Sequence, residues 1–365
     1  MWIVGIISIV LVGGGSLLLR SPSFGKNPNK KAIEAFQSAD NYNVAERQFK
    51  NSIPTKTTFT FSDFRKTTKK YITKNDSIPR TPDIEIPIDT NKWVQNDSTL
   101  WLSWLGHSSQ FVNIEGVKVL IDPVFSMRCS PFQWAGSKRF HPVPHDTSTF
   151  SEIDAVVISH DHYDHLDTRT IKLLAHGVQR FIVPLGVGSH LEKWGVDSTK
   201  IRELNWWESA DFKHITFHCT PARHFSGRRL SHQNQTLWSS WAITGNTHKL
   251  FYSGDTGYFE EFKTIGEKLG PFDIAVIQIG AYDSLWADIH MFPNEAIQTF
   301  KDVKAKKLLP VHWGTFNLAL HNWKEPASWL KQIANRENIP VIFPKLNEQV
   351  FTTVPIEANK KEWFE

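Results

Sequence analysis

Cysteine is scarce in this chain, with Cys129 and Cys219 as its two representatives among 365 residues. Two cysteines cannot build the disulfide framework that holds a small secreted domain together. Cys219 lies in the alternating apolar run I-T-F-H-C-T, which is typical of a buried thiol. A chain of this length has enough residues for a dry core and a walled cleft, in one large domain or two small ones.

Strong charge of one sign is also missing from the sequence. The net charge is +4 and the isoelectric point is about 8.8, a mildly basic balance that is too weak to indicate a nucleic-acid partner. The chain has no G-x-G-x-x-G motif, no P-loop and no internal repeat. No Ser-His-Asp signature for nucleophilic catalysis stands out either. These absences argue against a Rossmann-type nucleotide-binding protein and against a serine hydrolase.

The N-terminus contains no charged residue over positions 2–19, a run that is about the minimum length to cross the core of a bilayer. No basic residue precedes this run and no small-residue cleavage site is clear, so it lacks the marks of a cleaved signal peptide. Four basic residues follow it: Arg20, Lys26, Lys30 and Lys31. The uncharged run therefore predicts a membrane anchor over residues 1–20, and the positive-inside rule places the rest of the chain in the cytoplasm. The glycines at 13–15 weaken such a helix, so a removed signal with export is the alternative.

Composition divides the rest of the chain into two parts. Residues 21–95 are polar and are predicted to form a linker and an extended arm, with a possible helix at 31–50 and a proline-containing extended stretch at 81–90. Residues 96–358 form the predicted folded domain. Strands are expected at 100–105, 110–114, 117–122, 180–184, 214–220, 237–243, 249–254, 272–279 and 307–311, and helices at 168–176, 186–194, 259–268, 293–304 and 325–336.

The order of these elements indicates the fold class. The second and third strands are joined at Glu115-Gly116 as a hairpin, and mixed strands and helices follow. Early hairpins followed by such a mixture predict an α/β (α+β) fold of two sheets with helices outside them, rather than a Rossmann order.

Six consecutive residues, H-D-H-Y-D-H at 160–165, concentrate potential metal ligands. The preceding I-D-A-V-V-I-S is typical of a short buried strand, so the cluster lies where a strand ends and a loop begins. His160 and His162 are two apart, so in extended backbone their side chains leave the same face and can share an ion. Asp164 and His165 follow once the chain turns and suit a second ion. This donor set favours zinc or another borderline divalent metal; a His-rich surface loop is the alternative.

Three more candidate ligands stand at predicted strand ends. His224 lies in T-P-A-R-H-F-S-G, Asp255 ends K-L-F-Y-S-G-D, and His312 ends K-L-L-P-V-H-W-G. Each alone could be a loop cap or a turn former. Together with the hexapeptide they give seven ligands, enough for two ions. Asp255 is the natural bridging ligand because a carboxylate has two oxygens.

The pattern H-x-H-x-D-H with later His, Asp and His resembles the metallo-β-lactamase superfamily, whose fold is a four-layer αββα sandwich with a dinuclear metal site at one edge. Further segments closely resemble one family within it, the N-acyl-phosphatidylethanolamine-hydrolysing phospholipases D. In matching order these are W-L-G-H-S-S (104–109), I-D-P-V-F-S (121–126), S-P-F-Q-W-A-G-S-K-R-F (130–140), L-N-W-W-E (204–208), L-W-S-S-W (237–241), S-G-D-T-G-Y (253–258), G-P-F-D (270–273), I-G-A-Y (279–282) and H-W-G-T-F (312–316). The hexapeptide specifies only the superfamily, whereas this series of segments is far more specific.

Carried over to these positions, the resemblance implies two Zn²⁺ or other divalent ions per chain. One ion would take His160, His162 and His224, and the other Asp164, His165 and His312, with Asp255 bridging. The resemblance also assigns catalytic roles to Asp164, Asp122 and His290.

Asp122 is expected to support a ligand from behind. His290 would protonate a leaving alkoxide or hold a phosphate oxygen, with a helix cap before Pro293 as the alternative. Gln133 and Trp134 fall in a loop expected to bind substrate, and Trp134 stands where the family usually has tyrosine. The head-group preference is therefore left open.

The resemblance implies a membrane-associated zinc phosphodiesterase of phospholipase D type. A hydroxide made from a water shared by the metals would release phosphatidic acid and an N-acylethanolamine. The expected partners are a phospholipid membrane and its lipid substrate, with no nucleic acid, and a homodimer is left open.

Three other functions are also considered. One is a hydrolase of a soluble lactone, cyclic phosphodiester or β-lactam, which uses the same chemistry. Another is a flavin-linked di-iron protein, against which His162 argues because such members normally carry glutamate there. The last is a metal-binding membrane protein without catalysis, against which the complete ligand set argues.

Overall fold

The computed structural model describes residues 21–58, 60–73, 85–94, 98–143, 150, 152–229, 233–355 and 361–365. The predicted anchor at 1–20 and the start of the predicted extended stretch, 81–84, lie outside the described residues. Among the helices of the described ranges, none combines the length and the apolar character that a membrane crossing requires.

Strands and short helices alternate along the chain from residue 100 onward, after an N-terminal arm with small elements of its own. The helices are α1 (Lys30–Phe36), α2 (Phe61–Thr73), α3 (Thr168–Leu174), α4 (Gly188–Lys193), α5 (Glu261–Lys268), α6 (Pro293–Asp302) and α7 (Glu325–Glu337). The strands are β1 (Tyr42–Asn43), β2 (Gln48–Phe49), β3 (Leu100–Gly106), β4 (Ser109–Ile114), β5 (Val117–Ile121), β6 (Ala155–Val157), β7 (Arg180–Pro184), β8 (Ile201–Leu204), β9 (Ser209–Phe212), β10 (Ile215–Thr220), β11 (Ser240–Thr244), β12 (Lys249–Tyr252), β13 (Ile274–Gln278), β14 (Leu308–Val311) and β15 (Gln349–Phe351).

The first sheet has seven strands in the order β15-β3-β4-β5-β6-β7-β8. Strands β3, β4 and β5 pair as antiparallel hairpins, with Val112 opposite both Leu102 and Val119. The predicted turn at 115–116 is confirmed, and both of its residues have positive φ. From β5 to β8 the pairing is parallel, which requires crossover connections. Helix α3 lies in the connection from β6 to β7, and α4 in the connection from β7 to β8.

The second sheet has six strands in the order β14-β13-β12-β11-β10-β9. Strands β9 to β12 pair antiparallel, and β12, β13 and β14 pair parallel. Helices α5 and α6 connect the parallel strands. The parallel strands β13 and β14 are buried along their whole length, as expected for a sheet covered on both faces.

Alternating apolar side chains join the two sheets face to face. Leu102 and Trp104 of the first sheet belong to the same buried cluster as Phe217, Trp241 and Phe251 of the second. The outer face of the first sheet packs with α3 and α4, and α5, α6 and α7 contribute buried side chains beside the second sheet. The layers are therefore helix, sheet, sheet and helix, and the predicted α/β sandwich is confirmed.

The N-terminal arm differs from the single helix predicted at 31–50. Helix α1 begins after Asn29, whose side chain accepts a hydrogen bond from the Ala32 N–H, and it already ends at Phe36. The following polar sequence S-A-D-N-Y-N favours turns over a continuing helix, and the β1–β2 hairpin forms instead. Helix α2 has no counterpart in the prediction. The arm packs on the main domain through Phe36, Tyr42 and Phe49 against Ala222, Leu237 and Trp238.

Candidate metal centre

The loop between β6 and α3 carries four of the seven candidate ligands. The second sheet holds the start of this loop. The Trp241 indole N–H donates to the Ile158 carbonyl at 3.0 Å, and the Ser239 N–H donates to the Ser159 carbonyl at 2.9 Å. At the other end of the loop, the Asp167 side chain caps α3. Because hydrogen bonds fix both ends, the ligand side chains project from an ordered base.

One group of candidate ligands consists of three histidines. His162 Nδ1 lies 2.9 Å from His160 Nε2 and 3.3 Å from His224 Nε2. His160 and His224 are buried, and His162 is half-buried at the side of the cavity. His224 comes from the segment after β10, so two separate parts of the chain converge here. The three nitrogens face one common point, as ligands of one ion do.

A second group lies beside the first. Asp164 Oδ2 is 3.5 Å from His165 Nε2 and 3.3 Å from His312 Nε2. His312 follows β14 and has a φ of 66°, a left-handed conformation that turns its ring back toward the loop. This group provides one carboxylate oxygen and two imidazole nitrogens within reach of one ion.

Asp255 lies between the two groups. Its Oδ2 is 3.2 Å from His165 Nε2 and 3.0 Å from His312 Nε2, and it is 4.0 Å from His160 Nε2 and 3.9 Å from His224 Nε2. The preceding Gly254 has a φ of 58°, and a Cβ there would lie 2.6 Å from a main-chain oxygen. Glycine at that position therefore allows the close approach that brings Asp255 to the centre of both groups.

The donor atoms fit a pair of divalent metal ions. In the described part of the chain, the buried His165 Nε2, His312 Nε2 and Asp255 Oδ1 make no hydrogen bond. Buried polar atoms without a partner are costly, and a cation held among these atoms would remove that cost. Nitrogen and carboxylate oxygen donors suit zinc or a similar metal.

The pKa values of the two groups differ in a way that matters for metal binding. Burial lowers the pKa of His160 and of His224 well below the ordinary range, so both are neutral ligands. Burial would also lower the pKa of His312, but Asp255 and Asp164 outweigh it and raise that pKa to about 9. Since a metal ligand must be deprotonated, an ion bound at the second group would displace a proton.

Asp122 lies behind the second group and is fully buried. Its carboxylate accepts hydrogen bonds from the Ser159 N–H at 2.7 Å, from Tyr252 Oη at 2.5 Å and from His165 Nδ1 at 2.7 Å. With a proton on Nδ1, His165 presents its Nε2 lone pair toward Asp255. The structure thus places Asp122 as a support that sets the orientation of a candidate ligand.

Sequence comparisons agree with this geometry. A model of the beta-lactamase superfamily domain matches residues 117–313. The chain belongs to the β-lactamase superfamily. It is 48% identical over 284 residues to an uncharacterized protein of Mycobacterium tuberculosis, with 76% of each chain covered. It is also 40% identical over 258 residues to N-acyl-phosphatidylethanolamine-hydrolyzing phospholipase D 1 of Caenorhabditis elegans, which covers 67% of this chain and 72% of that protein.

Solved structures give the same fold. A metallo hydrolase from the archaeon Ignicoccus hospitalis aligns with a TM-score of 0.53 at 20% identity, covering 69% of this chain and 98% of the other. This likeness concerns the fold alone. The superfamily match, the relatives and this fold together identify the protein as a hydrolase of the metallo-β-lactamase fold.

The candidate metal ligands of this hydrolase open into a cavity of about 280 Å³. His162, Asp164, Asp255 and His312 form its floor. The apolar part of the wall consists of Phe225, Leu285, Trp286, Ile289 and Leu318. Residues 56–58 of the N-terminal arm also line the cavity. The cavity therefore combines a charged floor with a surface suited to hydrocarbon.

His290 lies in this cavity beside both ligand groups. Its Nδ1 is 4.0 Å from Asp255 Oδ2, and its ring centroid is 5.2 Å from that of His224. Burial lowers the pKa of His290 to about 3, so the imidazole is neutral at neutral pH. The N-cap residue of helix α6 is Phe292. His290 therefore does not cap this helix, which was the alternative considered for it.

The predicted substrate-binding residues Gln133 and Trp134 lie outside the cavity. The Gln133 amide bonds to the main chain of Arg128, at 3.0 Å and 3.2 Å. Trp134 is 70% exposed and stacks on Phe132 at 5.3 Å between ring centroids. The Ser137 hydroxyl of the same loop donates to the Asn317 carbonyl, next to the cavity residue Leu318. A substrate contact of Gln133 or Trp134 stays a prediction.

Three residues at the site were not in the predicted set. His107 Nε2 lies 2.9 Å from Asp164 Oδ2, and burial lowers the pKa of His107 to about 3. Lys56 lines the cavity, and Asn51 bonds to the main chain of His224. The motif W-L-G-H-S-S gave a signal for His107. No local pattern marks Asn51 or Lys56, since their site contacts span long distances in sequence.

Proposed function

We propose that this protein is a phosphodiesterase of phospholipase D type, which hydrolyses N-acyl-phosphatidylethanolamine-like lipids to phosphatidic acid and an N-acylethanolamine. The observation that carries the proposal is the 40% identity over 258 residues with the nematode protein of that name. Three of the segments that suggested the resemblance carry Asp122, Asp255 and His312, which lie at the candidate metal centre.

The proposal includes two zinc or other divalent ions at the centre. His160, His162 and His224 would hold one ion and Asp164, His165 and His312 the other, with Asp255 between them. Bound there, such ions would lower the pKa of water and offset negative charge at a phosphoryl group. The chain itself supplies the orientation, since Asp122 and the Ile289 carbonyl each hold an Nδ1–H of a ligand histidine.

The cavity walls fit the apolar and the anionic parts of such a substrate. Trp286, Ile289 and Leu285 offer apolar surface for acyl or glycerol carbons. Among the described residues that line the cavity, Lys56 is the one lysine or arginine, and its Nζ is held 2.8 Å from Asp63 Oδ2. A lysine in the wall of the cavity suits the anionic phosphate of a diester. Neutral His290 would donate a hydrogen bond to a phosphate oxygen.

A lipid substrate makes a phospholipid membrane the proposed partner. The uncharged run at 2–19 and the basic residues after it support an anchor with the catalytic domain on the cytoplasmic side. Basic residues near the membrane would add about 1 kcal/mol each on anionic lipid. An anchor of this kind would hold the cavity close to the interface where its substrate lies.

Lipid mass spectrometry of purified protein with vesicles that contain N-acyl-phosphatidylethanolamine tests this function. Phosphatidic acid and N-acylethanolamine should appear in equal amounts, and the Asp255→Asn variant should not form them. If all the lipids stay intact while a lactone, a β-lactam or a cyclic phosphodiester is turned over, the soluble-substrate alternative replaces the lipid function.

Lys56 offers a separate test of phosphate recognition. Lys56→Met should raise KM for a phosphodiester by about tenfold, since a hydrogen bond to a charged group is worth roughly 1.5–3 kcal/mol and this lysine is half-exposed. Lys56→Arg should keep most of the affinity. Lys50→Met is a matched control, because Lys50 lies on the same arm and pairs with Glu46. Equal KM values for Lys56→Met and Lys50→Met would remove Lys56 from the substrate site.

A further inference from the structure

Asn51 of the N-terminal arm holds both main-chain groups of the candidate ligand His224. Its side-chain Nδ2 donates to the His224 carbonyl at 2.8 Å, and its Oδ1 accepts from the His224 N–H at 3.0 Å. The two residues are 173 positions apart in sequence. An amide that bonds to both groups of one residue fixes the position and the tilt of that residue's backbone.

The surroundings of Asn51 determine the orientation of its amide. The Trp238 indole N–H donates to Asn51 Oδ1 at 3.0 Å and to the Ala222 carbonyl at 2.9 Å. Two donors therefore converge on the Asn51 oxygen, and only the amide NH₂ can serve the His224 carbonyl. Trp238 is buried and belongs to the cluster that anchors α1 and the β1–β2 hairpin, so the arm holds this amide in place.

The ring of His224 is fixed independently of its backbone. Its Nδ1–H donates to the Ile289 carbonyl at 2.9 Å, which leaves Nε2 facing His162 Nδ1 and Asp255 Oδ2. A ring held at one nitrogen can still shift if its Cα moves. Asn51 restricts that movement, since its amide holds both the N–H and the carbonyl of the same residue.

The neighbour of His224 makes a second connection to the same stretch of the arm. Arg223 donates from Nε to Thr55 Oγ1 at 3.1 Å and from Nη2 to the Pro54 carbonyl at 3.0 Å. Its Nη2 also lies 2.9 Å from Asp288 Oδ1, and Asp288 Oδ2 accepts from the Lys56 N–H. Residues 51–56 are thus joined to the ligand segment at several points.

We propose that Asn51 is a positioning residue that fixes His224 for metal binding, so that the N-terminal arm is part of the metal centre. The proposal rests on the proposed function in one respect, that His224 binds a metal ion. It does not depend on which substrate is cleaved. Asn51 lies before residues 117–313, the stretch that the superfamily model matches. The contact therefore joins a residue outside that stretch to a candidate ligand inside it.

Zinc affinity of full-length variants, measured by competition with a chromophoric chelator, tests the proposal. Asn51→Ala should weaken one of the bound ions by about tenfold, the low end of the effect of removing a residue that orients a metal ligand. Asn51→Asp has nearly the same volume and keeps the acceptor, but it turns a charged oxygen toward the His224 carbonyl, so it should weaken the same ion. Asn41→Ala is the matched control, because Asn41 lies on the same arm and bonds to Asn205; it should bind zinc as the wild type does.

Hydrogen exchange of the metal-free proteins gives a readout that needs neither metal nor substrate. A peptide that contains His224 should exchange faster in Asn51→Ala than in the wild type or in Asn41→Ala, because the His224 N–H loses its acceptor. Wild-type zinc affinity in both Asn51 variants, or an equal loss in Asn41→Ala, would overturn the proposal. Unchanged exchange at the His224 amide would overturn it as well. A wild-type protein that binds zinc but cleaves no lipid would instead count against the proposed substrate and would leave the role of Asn51 intact.

Discussion

Three of the candidate ligand histidines form a hydrogen bond through Nδ1 and direct Nε2 toward Asp255 at the candidate metal centre. His165 bonds to Asp122, His224 to the Ile289 carbonyl, and His160 to the Ser159 hydroxyl at 2.9 Å. The ligand identities could be predicted because each stands where an apolar strand ends. The groups that hold these histidines could not all be predicted. Any residue type can supply a main-chain carbonyl, as Ile289 does, and Asn51 lies far from His224 in the sequence.

Asp255→Asn is expected to lower activity by about 100-fold or more while leaving the fold intact. Removing a support of a metal ligand already costs about 10–100-fold, and the charged Asp255 oxygen lies within 3.2 Å of two ligand nitrogens. The variant should also bind fewer than two ions by elemental analysis. Asp273→Asn is a control, since Asp273 pairs with Lys306 and should keep full activity. A fully active Asp255→Asn protein would contradict the bridging role.

His290 is expected to hold substrate and not to transfer a proton. Because burial lowers its pKa to about 3, no imidazolium is present at neutral pH to act as a general acid. His290→Ala should reduce kcat/KM by roughly 10–100-fold, the value of a hydrogen bond to a charged group. The loss should be the same for a natural diester and for a nitrophenyl diester. The pH profile should keep its shape from about pH 5 to 8. A loss confined to the substrate with the poor leaving group would instead indicate a general acid.

At the scale of elements, periodicity predicted the central part of the fold well. The hairpin at 115–116 and the strands around it follow from alternation and a glycine turn, and helices α5 to α7 follow from their apolar spacing. The arm was predicted less well because its residues 37–43 are polar, and β1 and β2 have only two residues each. Strands of that length are stabilised by Trp238 and Ala222 on the main domain, which no local pattern reveals.

The contact between β11 and the ligand loop provides a prediction at this scale. Trp241→Phe leaves the Ile158 carbonyl without its donor, two residues before His160, at a cost of about 1–3 kcal/mol beyond the lost volume. Trp101→Phe is the matched control, because it removes the same atoms from another buried tryptophan. The Trp101 indole N–H has no hydrogen-bond partner among the described residues. Denaturant unfolding should therefore show a larger loss for Trp241→Phe. Equal losses would mean that the hydrogen bond to the loop contributes nothing.

At the scale of the whole molecule, we expect metal binding and stability to be coupled. Two carboxylates and five histidines converge at the site, and bound cations would stabilise this arrangement of donor atoms. Removing the metal with a chelator should lower the unfolding temperature by roughly 5 °C, since about 2.7 kcal/mol is lost when a ligand at 100 times its Kd is withdrawn. Zinc should restore it. The Asp255→Asn protein should respond less to the chelator, and an equal response would point to metal bound elsewhere.

Membrane attachment is predicted to be separable from catalysis, but only if the N-terminal arm is kept. Deleting residues 1–20 should release the protein from membranes and leave hydrolysis of a short-chain soluble phosphodiester unchanged, because the ligands and the arm all lie beyond residue 20. Deleting residues 1–58 also removes Asn51 and Lys56, so that protein should lose zinc affinity and activity. Full-length protein found wholly in the soluble fraction, or a mature N-terminus near Ser21, would contradict an uncleaved anchor. An active 1–58 deletion would show that the arm is dispensable, since the metal centre would then form from the main domain alone.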